Sequence, residues 1–355
     1  MDFIINHKRF KKKYSLQDLD KYLLSNKKIS KWPMAIIDYF NFFENYIKKN
    51  YTLIPTKCLC ENNDDILLSI SDRNCIEFPI VVCKKCGLIR PKNYFTEKDV
   101  KHFYTNHYRK IVHGHTDKVD EDPERYYNMQ KNDSKRRIDI IKKFGNISLS
   151  NKKVLDLGGG CGGNLDILRN ENEVYLADYF EPFLKYAKSK NINVIKGGLE
   201  SIDFKPDLII CTHVMEHWSN FKEEMKKLIQ IQKVGKTINY IEHPGIDSIK
   251  LGRRDSDIIG DLCIQHTSYF ASYVFENLMN RYGFEKLYID SEIKSLFVYT
   301  GKKQSLVNHY TKVYNDLFAA ERNRKIFYIQ NFIKLFIPKN LLSNLRKIRN
   351  KSIQY

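Results

Sequence analysis

The sequence predicts an α/β protein: a seven-stranded, mostly parallel sheet, preceded by a small cysteine-bearing module and flanked by helices at both ends. Two observations carry this reading. From Lys152 onward short apolar runs at 154–157, 174–178, 193–195, 207–211 and 237–241 alternate with helical patterns. A chain that crosses over between strands in this way winds a parallel sheet with helices on both faces. Two further runs, 284–289 and 296–300, are separated only by 290–295, which is room for a hairpin but not for a crossover. The last strand is therefore expected to run antiparallel.

The elements ahead of the sheet follow from periodicity and punctuation. Leu16, Leu19, Leu23 and Leu24 share a helical face, and Trp32-Pro33 opens a second helix through Ile36, Ile37, Phe40, Phe43 and Ile47. Short strands and turns carry the cysteines from 58 to 91. The stretch 96–115 is aromatic and His-rich, and 117–123 is a polar break. A helix is expected over 124–144, with Ile138, Ile141 and Phe144 facing inward. These segments predict a helical N-terminal part (1–57), a cysteine module (58–115), a linker and helix (116–151), the sheet domain (152–302) and a basic helical extension (303–355).

The 355 residues carry a formal charge of +18, which by itself suggests nucleic acid, an acidic membrane surface or an anionic substrate. Its distribution narrows the choice. Residues 1–57 hold 12 Lys/Arg against 5 Asp/Glu, and residues 302–355 hold 12 against 2, so the sheet domain between them is almost neutral. With 42% hydrophobic residues the chain is neither disordered nor collagen-like. No apolar run approaches the ~18 residues of a membrane span, and Lys8 interrupts any signal-peptide core. A cytoplasmic location is expected, where cysteines serve as metal ligands or core residues rather than disulfides.

The most informative segment is Val154-Leu-Asp-Leu-Gly-Gly-Gly-Cys-Gly-Gly163. It follows a strand and opens a helix, where glycines let backbone approach a ligand closely. Gly158, Gly160 and Gly162 give G-x-G-x-G. Gly163 also permits a dinucleotide-type spacing, but Asp156 suits an ammonium-bearing ligand better than a pyrophosphate. No Gly-Lys-Ser/Thr follows, which excludes a P-loop. Asp178 ends the second strand 20 residues after Gly158, where a carboxylate can accept ribose hydroxyls. After the fourth strand comes Cys211-Thr-His-Val-Met-Glu-His-Trp218.

Together these residues resemble the class I S-adenosylmethionine-dependent methyltransferases, over about residues 152–302, with their Rossmann-like sheet. The resemblance implies that Asp156, Gly158, Gly160 and Gly162 line the methionine end and Asp178 holds the ribose. Gly198, Leu199 and Glu200 would lie near the adenine, and His213 would floor the site.

Cys58-Leu-Cys60 and, 22 residues later, Cys83-Lys-Lys-Cys86-Gly87 supply four thiolates in two turns. The C-x-x-C-G half reads as a zinc knuckle; C-x-C is tighter than usual, and Cys75 is an alternative ligand. A closed four-sulfur shell would be structural. His113-Gly-His115 reads as a substrate-facing or solvated loop, and Cys161, Cys211 and Cys263 as packing residues. This zinc module ahead of a methyltransferase sheet is similar to bacterial sugar methyltransferases of surface-polysaccharide and nucleotide-sugar biosynthesis. The C-methylating members carry a further α/β domain, for which the 53 residues after Lys302 are too few. That favours methylation of a sugar hydroxyl, with nucleotide-sugar C-methylation as the alternative.

A hydroxyl acceptor benefits from a base of near-neutral pKa. His266, within Gln265-His-Thr-Ser-Tyr-Phe270, is the first candidate, His217 the second, and Glu242 a helper; Arg253, Arg254 and Tyr269 are candidates to contact substrate. An RNA methyltransferase is disfavoured, because the post-strand-four segment lacks both Asn/Asp-Pro-Pro-Tyr and Pro-Cys. A non-catalytic scaffold that kept the fold is the remaining rival. The apolar stretch 326–337, followed by Arg346, Lys347, Arg349 and Lys351, either packs on the N-terminal helices or lies peripherally on an anionic membrane.

Overall fold

The computed structural model describes residues 34–74, 76–108 and 122–334. The helix expected around 16–24, Cys75, Arg109, His113, His115 and the basic residues beyond 334 lie outside these. In chain order the structure contains α1 (Met34–Asn50), β1 (Leu53–Pro55), β2 (Asp65–Ser71), β3 (Glu77–Cys83), β4 (Ile89–Pro91), β5 (Asn93–Phe95), α2 (Glu97–Asn106) and α3 (Pro123–Phe144). The sheet domain adds β6 (Lys153–Leu157), β7 (Glu173–Asp178), α4 (Glu181–Ser189), β8 (Asn193–Lys196), β9 (Leu208–Thr212), α5 (Phe221–Gln230) and β10 (Ile238–Glu242). It closes with α6 (Ser272–Arg281), β11 (Phe284–Ile289) and β12 (Lys294–Tyr299), and α7 (Tyr310–Lys334) follows.

The seven strands are ordered β11-β12-β10-β9-β6-β7-β8. All neighbours within β10-β9-β6-β7-β8 pair in parallel, and β12 is antiparallel to both β10 and β11. The predicted sheet, including its reversed last strand, is the one observed. The order reverses at β6 and β9, so both strands release their loops into the crevice where open α/β sheets bind ligands.

Alternation along the strands sorts the core into two layers. Val154, Leu208, Ile210, Ile238 and Tyr240 face the layer holding Tyr127, Ile138 and Ile141 of α3 and Phe183 and Leu184 of α4. Leu155, Leu157, Ile209, Cys211 and Ile241 face the other layer, which continues without a break into the cysteine module. That continuity is new. The sequence segmentation treats residues 58–115 as a separate module, yet Ile89 and Tyr269 exchange backbone hydrogen bonds (2.8 and 3.4 Å) and Arg73 N–H donates to Leu262 O at 2.7 Å. The module also begins earlier than expected, since β1 pairs with β5.

The described part of α7 packs on residues 246–256 and against Gly87. The expectation for 326–337 rests on side chains that lie largely outside the described residues. Val313, Leu317 and Ala320 are buried, Lys250 pairs with Asp316 at 2.6 Å, and Asn323 donates to Lys250 O. Gly87, at φ +80°, has room for no side chain, because a Cβ would stand 2.8 Å from Val313. Among the described residues no helix is long and apolar enough to cross a membrane.

Candidate active site

The glycine loop leaves β6 with Gly158, Gly160 and Gly162 all at positive φ (+65°, +56° and +78°), a region where a side chain is strained. Close approach adds to the requirement. A Cβ on Gly158 would meet Val214 at 2.5 Å, so the loop touches the turn that follows β9. A Cβ on Gly159 would fall 2.2 Å from the Asp156 carboxylate. Asp156 is thus wholly buried beneath the loop, where burial pushes its carboxyl up to about 7 although Asn164 donates to it at 3.1 Å. Asp178 accepts from Gly160 N–H and Phe180 N–H, both at 2.9 Å, which ties the loop to the end of β7.

Helix α3 holds the loop from outside, through residues that periodicity alone does not single out. Gln130 donates to Gly159 O at 2.8 Å and accepts from Gly163 N–H at 3.2 Å. Arg137, 5% exposed, donates to Asn164 Oδ1 at 2.6 Å and to Glu242 at 2.9 Å. A buried chain of polar groups therefore runs Glu242–Arg137–Asn164–Asp156 under the loop. The adjacent Arg136-Arg137 pair resembles an ordinary solvated patch in the sequence; only the register of α3 over β10 turns one of them inward.

Glu242 is placed differently from its expected part as a helper in proton transfer. Its carboxylate accepts from Arg136 (2.8 Å), Arg137 (2.9 Å) and the Tyr240 hydroxyl (2.7 Å). Burial alone would raise its pKa, but the two guanidiniums and the hydroxyl prevail and hold it down at about 2. It anchors α3 to the sheet. Arg253 and Arg254 are likewise engaged within the chain, on Asp261. Tyr269 is buried and donates its hydroxyl to Cys263 O at 2.6 Å, so it shapes the loop rather than facing a ligand.

On the adenine side of the predicted cofactor site, Gly198 N–H donates to Glu200 at 2.8 Å and the exposed Tyr179 hydroxyl donates to the same carboxylate at 2.5 Å. The Leu199 side chain is buried in the core, leaving only its backbone for that face. Tyr179, directly after Asp178, is the aromatic that the sequence reading left out.

The turn after β9 supplies the histidines. His213 sits at φ +57° with its N–H bonded to Glu242 O at 2.8 Å. Glu216 is 2% exposed and lies 3.4 Å from His213 Nδ1. Burial disfavours charge on both, yet their mutual attraction raises His213 and lowers Glu216. His217 and His266 come together with ring centroids 4.8 Å apart and nearly perpendicular planes. Desolvation lowers both, and each would be repelled by charge on a neighbouring imidazole, so both are neutral bases at neutral pH.

Backbone bonds fix this pair. Thr267 N–H donates to Glu216 O at 2.8 Å, and the Thr267 hydroxyl donates to Glu216 O and Trp218 O. From the cysteine module, Tyr94 and Tyr104 donate to Gln265 O at 3.5 and 3.2 Å, and Ile264 N–H reaches Asp72 at 3.2 Å. The module buttresses the segment that carries His266.

The four predicted metal-ligating cysteines are all buried, with their sulfurs within 4.8 Å of one another. Neighbouring pairs are separated by 3.4 to 3.6 Å, and Lys85 N–H, Leu88 N–H and the Asn62 amide point at sulfur. Tetrahedral zinc with Zn–S bonds of about 2.3 Å takes such a donor set, and N–H groups aimed at sulfur offset thiolate charge.

Residues 129–289, a little under half of the chain, match the family model described as Methyltransferase domain. No curated protein matches the chain. Among solved structures it is similar to magnesium protoporphyrin IX methyltransferase of Synechocystis PCC 6803 with bound S-adenosylhomocysteine, at 16% identity over 47% of this chain and 80% of that one, TM-score 0.36. It is also similar to S-adenosylmethionine-dependent methyltransferases of Thermotoga maritima (15% identity, 51% and 89% covered, TM-score 0.35) and Aquifex aeolicus (18%, 45% and 86%, 0.35). The sheet order, the glycine loop and the matched domain define the class: the chain is an S-adenosylmethionine-dependent methyltransferase.

Proposed function

We propose that the enzyme methylates a sugar hydroxyl, in glycan or nucleotide-sugar form, and that the cysteine cluster holds one structural zinc ion. The residues fit the cofactor. Asp156 would answer an ammonium group from beneath the glycine loop, Asp178 would take ribose hydroxyls, and Tyr179 with residues 198–200 would border the adenine. When bound, S-adenosylmethionine supplies an electrophilic sulfonium methyl group.

The observation that carries the acceptor reading is the pair of imidazoles that the turn after β9 and the 265–270 segment bring together, His217 and His266, both disfavoured in the charged form by burial. A hydroxyl needs its proton removed as it attacks; a ring nitrogen of His266 would receive it, with His217 second. The sugar itself is supported by the Gln265–Phe270 segment together with the zinc-knuckle arrangement. The basic residues beyond 334, outside the described part, are proposed to meet an anionic membrane.

The test is transfer of labelled methyl from S-adenosylmethionine to nucleotide-sugars, glycans and RNA. We expect labelled sugar, with the label on oxygen by NMR, and loss of transfer but not of cofactor affinity in His266→Ala. Label in RNA alone would refute the sugar reading; label on carbon would replace oxygen methylation by its alternative.

A further inference from the structure

A second set of metal-ligating side chains lies apart from the cysteines. Glu216, His217 and His266 each offer a ligand atom, and these atoms all lie within 4.8 Å of one another. Glu216 is 2% exposed, and neither of its carboxylate oxygens has a hydrogen-bond partner among the described residues. Among the described residues its ion-pair partner is His213, at 3.4 Å from a single oxygen. A buried carboxylate so poorly served is costly, and natural structures retain such a group where a further partner answers it.

The imidazole chemistry points the same way. Two groups stand at His217 Nδ1, Gln265 O at 3.0 Å and the Tyr104 hydroxyl at 3.1 Å; since the carbonyl can only accept, protonation at Nδ1 satisfies it and leaves the Nε2 lone pair for a ligand. Metal-bound histidines almost always spend their other N–H on a carbonyl or carboxylate in this manner. Tyr104, which donates to the same carbonyl at 3.2 Å, fixes the arrangement from the cysteine module. The bonds from Thr267 to Glu216 O hold the two ligand-bearing segments in register. His217 and His266 are partly exposed, so an ion has a way in.

We propose that Glu216, His217 and His266 bind a divalent transition-metal cation beside the acceptor cleft, separate from the four-cysteine site. Two imidazole nitrogens and one carboxylate oxygen suit Zn2+, Mn2+, Fe2+ or Co2+, and three protein ligands leave positions open. An acceptor carrying oxygen donors, such as neighbouring hydroxyls, is the chemistry those positions take. The place of the ion in catalysis rests on the hydroxyl-acceptor reading above; its binding does not. A His266 nitrogen that ligates the ion cannot also take the acceptor's proton, so cation binding here would replace the base role given to His266 above and leave the hydroxyl-acceptor reading itself in place.

The experiment is Mn2+ titration of the full-length protein followed by EPR, since a four-thiolate site takes up Mn2+ poorly. We expect one Mn2+ per chain in the wild type. Glu216→Gln and His266→Ala should each weaken it by more than about tenfold, because loss of an outer-shell partner alone costs that much. Zinc content and cofactor affinity, measured in parallel, report folding. If Glu216→Gln fails to fold, His266→Ala, on a partly exposed ring, decides alone. A wild type that binds no Mn2+, or variants that bind it as tightly as wild type, overturns the proposal. Sugar methylation without cation binding refutes this site only; cation binding without sugar methylation refutes only the acceptor reading.

Discussion

Replacing Arg137 with methionine keeps much of the side-chain volume and removes the guanidinium that joins α3 to the sheet. In the wild type Arg137 is 5% exposed and donates to Glu242 at 2.9 Å and Asn164 at 2.6 Å. The variant leaves a buried carboxylate with only Arg136 and the Tyr240 hydroxyl as partners. Breaking a buried pair from one side costs about 3–5 kcal/mol, and the surviving Arg136 contact places this case at the lower end, about 3 kcal/mol. Asn164 also loses its acceptor-side partner, so Asp156 and the glycine loop above it are less well held. Urea unfolding should therefore show a stability loss of about that size, and calorimetry a weakened affinity for S-adenosylmethionine. The double variant Arg137→Met/Glu242→Gln should recover part of the stability, because the stranded charge is then gone. A single variant within about 0.5 kcal/mol of wild type, or strictly additive effects in the double, would refute the buried-network reasoning.

Two further outcomes follow from the same geometry. Asp156 holds its proton more tightly folded than unfolded, with its carboxyl pushed up to about 7. Its contribution to stability is therefore present at low pH and drains away as the pH rises from the ordinary carboxylate range through about 7. Asp156→Asn removes that dependence, so its melting temperature relative to wild type should climb between pH 5 and pH 8 while cofactor affinity falls; a constant difference across the range would contradict the burial argument. Cys83→Ser should release zinc, measured by metal analysis. It should also raise hydrogen exchange in residues 262–270, which the module buttresses; unchanged protection there would show that the two parts are independent.

Much of this enzyme is legible in one dimension because its chemistry is local. Glycines at 158, 160 and 162, a carboxylate ending the next strand, and cysteines in two turns are each defined by residues close to them in the chain. Strand order follows from connection lengths for the same reason: 290–295 cannot cross over, so β12 reverses. The helix–sheet contacts are not legible in that way. Arg137 and Gln130 look like surface residues until α3 is laid over β6 and β10, and Glu242 looks available until two arginines reach it.

The sequence alone therefore determined the sheet, the conformation of the glycine loop and the grouping of four cysteines, since backbone conformation and close spacing are properties of short segments. Tertiary structure decided what each charged side chain is for. The sulfur cluster's module braces the His266 segment through contacts more than 160 residues apart, such as Tyr104 to Gln265. Glu216 and His217 meet His266 only because backbone bonds join the turn after β9 to a loop about 50 residues later. Charges act through space, and the protonation and partners of a buried group are set by whichever elements the fold brings against it.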